Sequence, residues 1–210
     1  MTTKDLALKV DALLSEAYPN AQCELHFTNP YELLVATILS AQCTDTRVNQ
    51  VTPGLFACFP NAAALAQANL AELENIIKPT GFFRNKAKVL LGVARALVEK
   101  HQGQVPPNLE ALVALPGVGR KTANVVLGTA FGLATGIVVD RHVARVTQRL
   151  GLVTNGDPER IEKELMTLFP QESWIALSHR LILHGRYVCQ ARKPRCSQCV
   201  LASVCSKVGV

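Results

Sequence analysis

The sequence predicts an all-α protein, and three features carry that expectation. Apolar residues recur at three- and four-residue intervals along almost the whole chain, the spacing that lays them on one face of a helix. Proline and glycine stops break these stretches at lengths suited to helices. No alternating run around a tight turn marks a β-hairpin. The first stripe is Leu6, Val10, Leu13 and Leu14, and the second is Leu33, Leu34, Ile38 and Leu39. Others follow over 70–77, 87–98, 109–115, 122–131, 142–150, 161–169 and 174–187. The expected interruptions are Pro53-Gly54, Pro79 to Gly81, Pro106-Pro107, Pro116 to Gly119, Gly156 to Pro158 and Pro170.

A chain of 210 residues with 49% apolar and 18% charged side chains has enough material for one large domain or two modest ones. That balance excludes a disordered or fibrous polymer. The stretch 122–139 runs 18 residues without a charge, at the lower limit for crossing a bilayer. Its three threonines, three glycines and Asn124 favour a buried helix followed by a Gly-rich turn, so no membrane is expected. The opening MTTKDLALKVD is charged and lacks the basic, apolar, small-residue order of a secretory leader. The expected compartment is therefore the cytoplasm, where disulfides are improbable and the seven cysteines need another role.

The net charge of +6 is unevenly placed. Residues 1–172 hold 16 basic and 16 acidic side chains, whereas the remainder holds Arg180, Arg186, Arg192, Lys193, Arg195 and Lys207 with no acid. A second excess lies over 111–156, where Arg120, Lys121, Arg141, Arg145 and Arg149 face one carboxylate, Asp140. Both segments suit a polyanionic partner, although uneven charge alone also serves solubility.

Four cysteines, Cys189, Cys196, Cys199 and Cys205, crowd the last 22 residues with spacing Cx6Cx2Cx5C. Four thiolates on a loop-rich segment can close around a metal centre, which replaces the apolar burial that CQARKPRCSQCVLASVC cannot supply. Spacing alone permits tetrahedral zinc or a [4Fe-4S] cube, with a slight lean to iron because the leading gap is wide. Arg192 and Lys193 lie inside that gap, so ligation would also hold cations on a compact loop.

The stretch LEALVALPGVGRKTANVVLG places two apolar helices on either side of a Pro-Gly-Val-Gly corner. Gly117 and Gly119 are expected to take backbone angles closed to other residues. The amides of Gly117, Val118, Gly119 and Arg120 would then face outward at the positive end of the second helix and accept a phosphate. A Walker loop is excluded because Arg120 stands where glycine must precede the lysine, and GVGRKT lacks the third glycine of a dinucleotide fold. A helix-hairpin-helix remains. Lys121 falls in the first turn of the second helix, where the macrodipole works against an ammonium and favours the nucleophilic amine. Asp140 ends the apolar run GIVVD and, read from these residues alone, serves best as a helix cap.

With these residues assembled, the chain resembles the endonuclease III family of DNA glycosylases through nearly its whole length. The resemblance rests on LLVATILSAQCTD (33–45), LPGVGRKTANVV, VDRH (139–142) and LILHGRYVCQARKPRC leading into the cysteine loop. It implies a six-helix domain over 22–133 and a cluster domain from 1–21 with 134–210, with DNA bound across a cleft between them. It implies Lys121 and Asp140 as catalytic residues, Cys189, Cys196, Cys199 and Cys205 as ligands of a [4Fe-4S] cluster, and Gln42 as the filler of the vacated base position. Phe82 stands where many members insert leucine; Arg141 and Cys43 also depart from the common pattern. The implied enzyme is a monomeric glycosylase and AP lyase acting on duplex DNA with damaged bases or abasic sites. A mismatch glycosylase is the nearest rival, but relatives of that kind generally lack the lysine. A non-catalytic DNA-binding module is the rival from another class.

Overall fold

A computed structural model describes residues 2–154 and 156–210. Among these residues the regular structure consists of eleven α-helices and three short 3₁₀ turns, with no strand. The chain is all-α, and it divides into two compact units, Cys23–Leu133 and Met1–Gln22 joined with Ala134–Val210.

Helix α1 (Thr3–Ala17) opens the chain under a capping box, in which Thr2 and Asp5 each accept the other's backbone N–H. Its Leu6, Ala7, Val10 and Leu14 form a buried stripe. Helices α2 (Pro30–Leu39), α3 (Asp45–Cys58), α4 (Ala62–Ala66), α5 (Leu70–Ile77), α6 (Phe83–His101), α7 (Leu109–Val113) and α8 (Arg120–Phe131) build the unit Cys23–Leu133. Asn29, Thr44, Asn61, Asn69 and Asn108 accept N–H groups from the first turns of α2, α3, α4, α5 and α7. Helix α2 is buried on almost every side and packs against α8, α3 and α6. Burial thus extends beyond the expected stripe of Leu33, Leu34, Ile38 and Leu39 to Tyr31, Val35, Ala36 and Thr37.

One expected interruption is absent: Pro53-Gly54 lies inside α3. Proline in a helix interior removes one hydrogen bond and costs roughly 3 kcal/mol. Here Pro53 and Gly54 are exposed, while Val48, Val51, Thr52 and Leu55 bury the opposite side. Packing of that face outweighs a defect turned toward water.

The other unit adds α9 (Arg141–Leu150), α10 (Pro158–Leu168) and α11 (Trp174–Tyr187) to α1. Its core gathers Val10, Leu14, Ile137, Val143, Val146, Ile161, Leu165, Leu177 and Leu181. Gly185 lets α11 and α9 approach closely, since a Cβ there would lie 2.8 Å from His142 Cβ. The charge-free stretch forms α8 and a left-handed glycine stop, Gly132 at φ +67°, before an irregular run to Asp140. No helix among the described residues is long and apolar enough to cross a membrane.

Candidate active site and cluster site

The glycine corner forms between α7 and α8 as the spacing predicts, but its two glycines have different reasons to be there. Gly117 adopts φ +70°, and a Cβ on it would strike Val89 Cγ1 at 2.8 Å. Gly119 is extended at φ −87°, an angle open to any residue, and an added Cβ would meet nothing within 4 Å. The expectation of a special backbone angle at Gly119 is therefore corrected. No neighbour within the chain requires its small size. The expectation for Val118 is corrected as well: its side chain is buried, and its N–H donates to Leu115 O at 3.1 Å. That amide is spent inside the turn, whereas no acceptor among the described residues meets the N–H of Gly119.

Lys121 follows in the first turn of α8 and is exposed. Its amine has no hydrogen bond or ion pair among the described residues. Asp140 belongs to the other unit, where it caps α9: one carboxylate oxygen, Oδ1, accepts the N–H groups of His142 at 2.7 Å and Val143 at 2.9 Å. The cap fixes the side chain on a helix N-terminus and leaves Oδ2 outside it.

Gln42 and Phe82 are both exposed and both left-handed, at φ +52° and +49°. Neither is glycine, so each conformation is strained and must be imposed by its surroundings. The residue that joins the two turns is one the sequence did not single out. Lys86 is 4% exposed, and its Nζ donates to Leu39 O at 2.7 Å and Thr80 O at 2.8 Å. Burial lowers its pKa, opposed by the nearby Cys43. An amphipathic reading places a lysine in solvent by default; only its place on the buried side of α6, beside Ala87 and Leu90, hinted otherwise.

Cys189, Cys196, Cys199 and Cys205 line one small apolar cavity of about 30 Å³, open to solvent, with Arg149, Val188 and Ala202. All four are half-buried and none takes part in a disulfide. Burial raises the Cys199 pKa, and the three neighbouring cysteines push it further the same way. A set of four sulfur donors that repel one another as anions calls for a cationic centre, either zinc or a cube of iron and sulfide.

Three further residues surround the cysteines, and for two of them the expectation of cations free for a polyanion is corrected, because Arg145 and Arg149 spend their guanidinium groups on main-chain carbonyls. Arg149 is 8% exposed; its guanidinium donates to Gln190 O at 2.7 Å and Ala191 O at 3.1 Å, and lies 3.4 Å from Cys189 Sγ. Arg145 reaches Cys189 O at 3.0 Å and Gly185 O at 2.7 Å. His184 sits between Tyr18 Oη at 3.1 Å and Cys199 Sγ at 3.5 Å. Its burial pulls the imidazole pKa down to about 4. Arg192 and Lys193 remain exposed on the loop between Cys189 and Cys196.

A helix-hairpin-helix corner and a four-cysteine cavity on an all-helical chain define a class, and comparison identifies it. Residues 35–171 match the model of the HhH-GPD superfamily base excision DNA repair protein. Residues 189–205 match that of the iron-sulfur binding domain of endonuclease III. Endonuclease III of Synechocystis sp. is 54% identical over 96% of this chain and 92% of its own length. The structure of a non-covalent endonuclease III-DNA complex superposes with a TM-score of 0.94 at 43% identity, covering 99% of this chain and 97% of the other. A trapped endonuclease III-DNA covalent intermediate gives the same TM-score at 42% identity, with the same coverage. The chain belongs to the endonuclease III family. It is a base-excision DNA glycosylase with AP lyase activity, its partner is DNA, and its cofactor is a [4Fe-4S] cluster.

Proposed function

We propose that the chain removes oxidised pyrimidines from duplex DNA through a Schiff base on Lys121 and cuts the strand by β-elimination. The observation that carries this reading is an exposed amine without an internal partner, one residue after Arg120 at the glycine corner. A relative 42% identical to the chain is described as a trapped covalent intermediate with DNA, which supports a nucleophile in the same fold.

Chemistry at the sugar requires the damaged nucleotide to leave the stack, at a cost of a few kcal/mol that oxidation reduces. Gln42 and Phe82 occupy the gap, and Phe82 acts as an apolar wedge. The Gly119 amide and the dipole of α8 hold a backbone phosphate, where a side chain at 119 would stand in the way. Gly117 and Arg120 belong to the same contact, and Arg192 and Lys193 hold phosphates from the other unit. The neutral Lys121 amine attacks C1′, the glycosidic C–N bond breaks, and the base departs with the electron pair. Asp140 stabilises the positive sugar and accepts a proton from the attached amine. The sugar ring opens to an iminium; loss of a C2′ proton then expels the 3′ phosphate oxygen. Water finally hydrolyses the imine and frees Lys121.

Cys189, Cys196, Cys199 and Cys205 would hold the cluster, whose role in this reading is to order the loop bearing Arg192 and Lys193. We place the enzyme in the cytoplasm as a monomer, with a hairpin domain and a cluster domain corresponding to the two units. Borohydride reduction during turnover on a lesion duplex tests the nucleophile. The expected result is an adduct on Lys121 by mass spectrometry, absent from Lys121→Ala although that variant still binds DNA. An equal adduct in Lys121→Ala overturns the assignment.

A further inference from the structure

Gln42 and Phe82 lie 40 residues apart in sequence, yet one buried side chain contacts both of their turns. At the end of α2 the left-handed Gln42 reverses the chain, and Cys43 N–H closes onto Ser40 O at 3.0 Å. A continuing helix would have used Leu39 O, and Lys86 Nζ takes that acceptor instead. At the other turn the 3₁₀ segment ends at Thr80, after which Gly81 and Phe82 are both left-handed. Lys86 Nζ takes Thr80 O, and the backbone N–H of Lys86 takes Phe82 O at 3.1 Å. One residue thus fixes carbonyls three positions before Gln42, two before Phe82 and at Phe82 itself.

The arrangement is more than local capping. Each turn holds a non-glycine residue in a strained conformation, which persists only where neighbours over-determine it. Each projects its side chain outward, and Phe82 leaves 65% of its surface in water. An exposed aromatic ring on a strained turn is unfavourable for the free protein, whereas a ring aimed into a base stack recovers its burial when DNA binds. The ammonium that holds it is buried, charged, and bonded to two main-chain carbonyls at short distance, an interaction stronger than one between neutral groups.

We propose that Lys86 is a positioning residue that locks the Gln42 and Phe82 turns to each other, so that both side chains enter the DNA gap as one preorganised unit. This rests on the reading of Gln42 and Phe82 as the residues that fill the gap. It predicts energetic coupling: without Lys86, neither side chain delivers its share of the binding, because the turns then order separately on DNA.

The test is a double-mutant cycle on the cluster-loaded enzyme. Affinity is measured for a duplex carrying a tetrahydrofuran abasic analogue, which Lys121 cannot trap, and for the same duplex without it. Lys86→Met is expected to weaken binding to the analogue about tenfold and to leave affinity for intact duplex within about twofold. Lys86→Gln keeps one amide donor and should show about a third of that loss, which preserves the comparison if the methionine variant folds poorly. Adding Gln42→Ala or Phe82→Ala to either variant should then cost far less than the same change in the wild type. If the fold-changes multiply, the locking role is wrong while the gap-filling one stands. If Gln42→Ala and Phe82→Ala have no effect on analogue binding in the wild type, the gap-filling reading falls and this proposal falls with it. An equal loss on intact and analogue duplexes makes Lys86 a general structural residue and overturns the proposal.

Discussion

The glycine corner and the cysteine loop both expose cations on tight turns, but opposite forces hold them. Under the corner, Leu112, Leu115, Val118 and Ala123 are buried in the core of the Cys23–Leu133 unit. Along Cys189–Val210 the sole buried side chain is Leu201. That segment is held by main-chain carbonyls bonded to Arg145 and Arg149 and by whatever its four cysteines bind. Apolar packing makes the corner rigid without help, while the loop borrows its order from polar donors and the cluster. Chemistry and stability should therefore separate at the corner and merge at the loop.

The largest effect expected is at Lys121. Lys121→Gln should lower strand cleavage at an abasic site by at least about 10³-fold, since a nucleophile is lost rather than a contact. The exposed side chain supports nothing beneath it, so the thermal midpoint should not move by more than about 1 °C. A lowered midpoint together with lost cleavage would show that the corner is not independent of its chemistry. Cluster removal should do the reverse. Oxidative loss of iron, or Cys199→Ala, is expected to open the 189–210 segment to protease while the Cys23–Leu133 unit keeps its helicity. The ligand bonds supply several kcal/mol of folding free energy that Leu201 alone cannot. Cleavage mapped by mass spectrometry decides this, and a segment that stays resistant would mean that the arginines suffice.

Arg149 measures how much they supply. Replacing it with leucine removes donors from Gln190 O and Ala191 O and the cation beside Cys189 Sγ. A loss of about 3 kcal/mol is expected, read as a fall of roughly 10 °C in a calorimetric scan. At the corner the matching pair is Gly117→Ala and Gly119→Ala. The first places a Cβ against Val89 on a positive-φ residue and should cost about 1–3 kcal/mol. The second should leave stability within about 0.5 kcal/mol yet weaken DNA binding, because its missing Cβ clears space outside the chain. Equal stability losses would make both glycines internal features.

The same contrast explains what sequence could and could not reveal. Helices were readable where one face is buried, as in α1 and α9, and the corner was readable because Gly117 stands where chirality and Val89 leave room for nothing else. Proline in α3 misled because a proline's effect depends on which side faces water, which composition does not encode. Gly119 misled in the other direction, as one glycine can have a reason outside the molecule. The internal roles of Lys86, Arg149 and His184 were invisible for a common cause, although Arg149 itself was read as a cation for a polyanion. Their partners are main-chain carbonyls or groups 6 to 166 positions away, and a charged or imidazole side chain taken alone reads as surface. Long-range polar satisfaction is a property of the folded backbone, so residue type does not announce it.

The smallest effect expected is in the pH response, at the helix that Asp140 caps. His142 has Arg145 Nη2 at 3.2 Å from Nδ1 and Arg141 Nε at 3.4 Å from Nε2, and Gly185 lies against its Cβ. Burial lowers its pKa below the usual 6.5, with both arginines acting in the same sense against Asp140 and the Gly185 carbonyl. A histidine whose folded pKa is depressed is neutral in the fold and gains a proton more readily when unfolded. Its contribution is present above pH 6.5 and is lost as pH falls through 6.5 toward the folded value. The ring keeps part of its surface in water, so solvent screening makes this loss small. His179 and His184 are depressed by burial too and steepen the same window, so the informative quantity is a difference between proteins. His142→Gln should show a shallower decline in urea stability between pH 7 and pH 5.5 than the wild type. Parallel slopes would mean that the two guanidinium groups leave the ring free to ionise. In that case the α9 N-terminus would accept an added positive charge beside Asp140 at no cost.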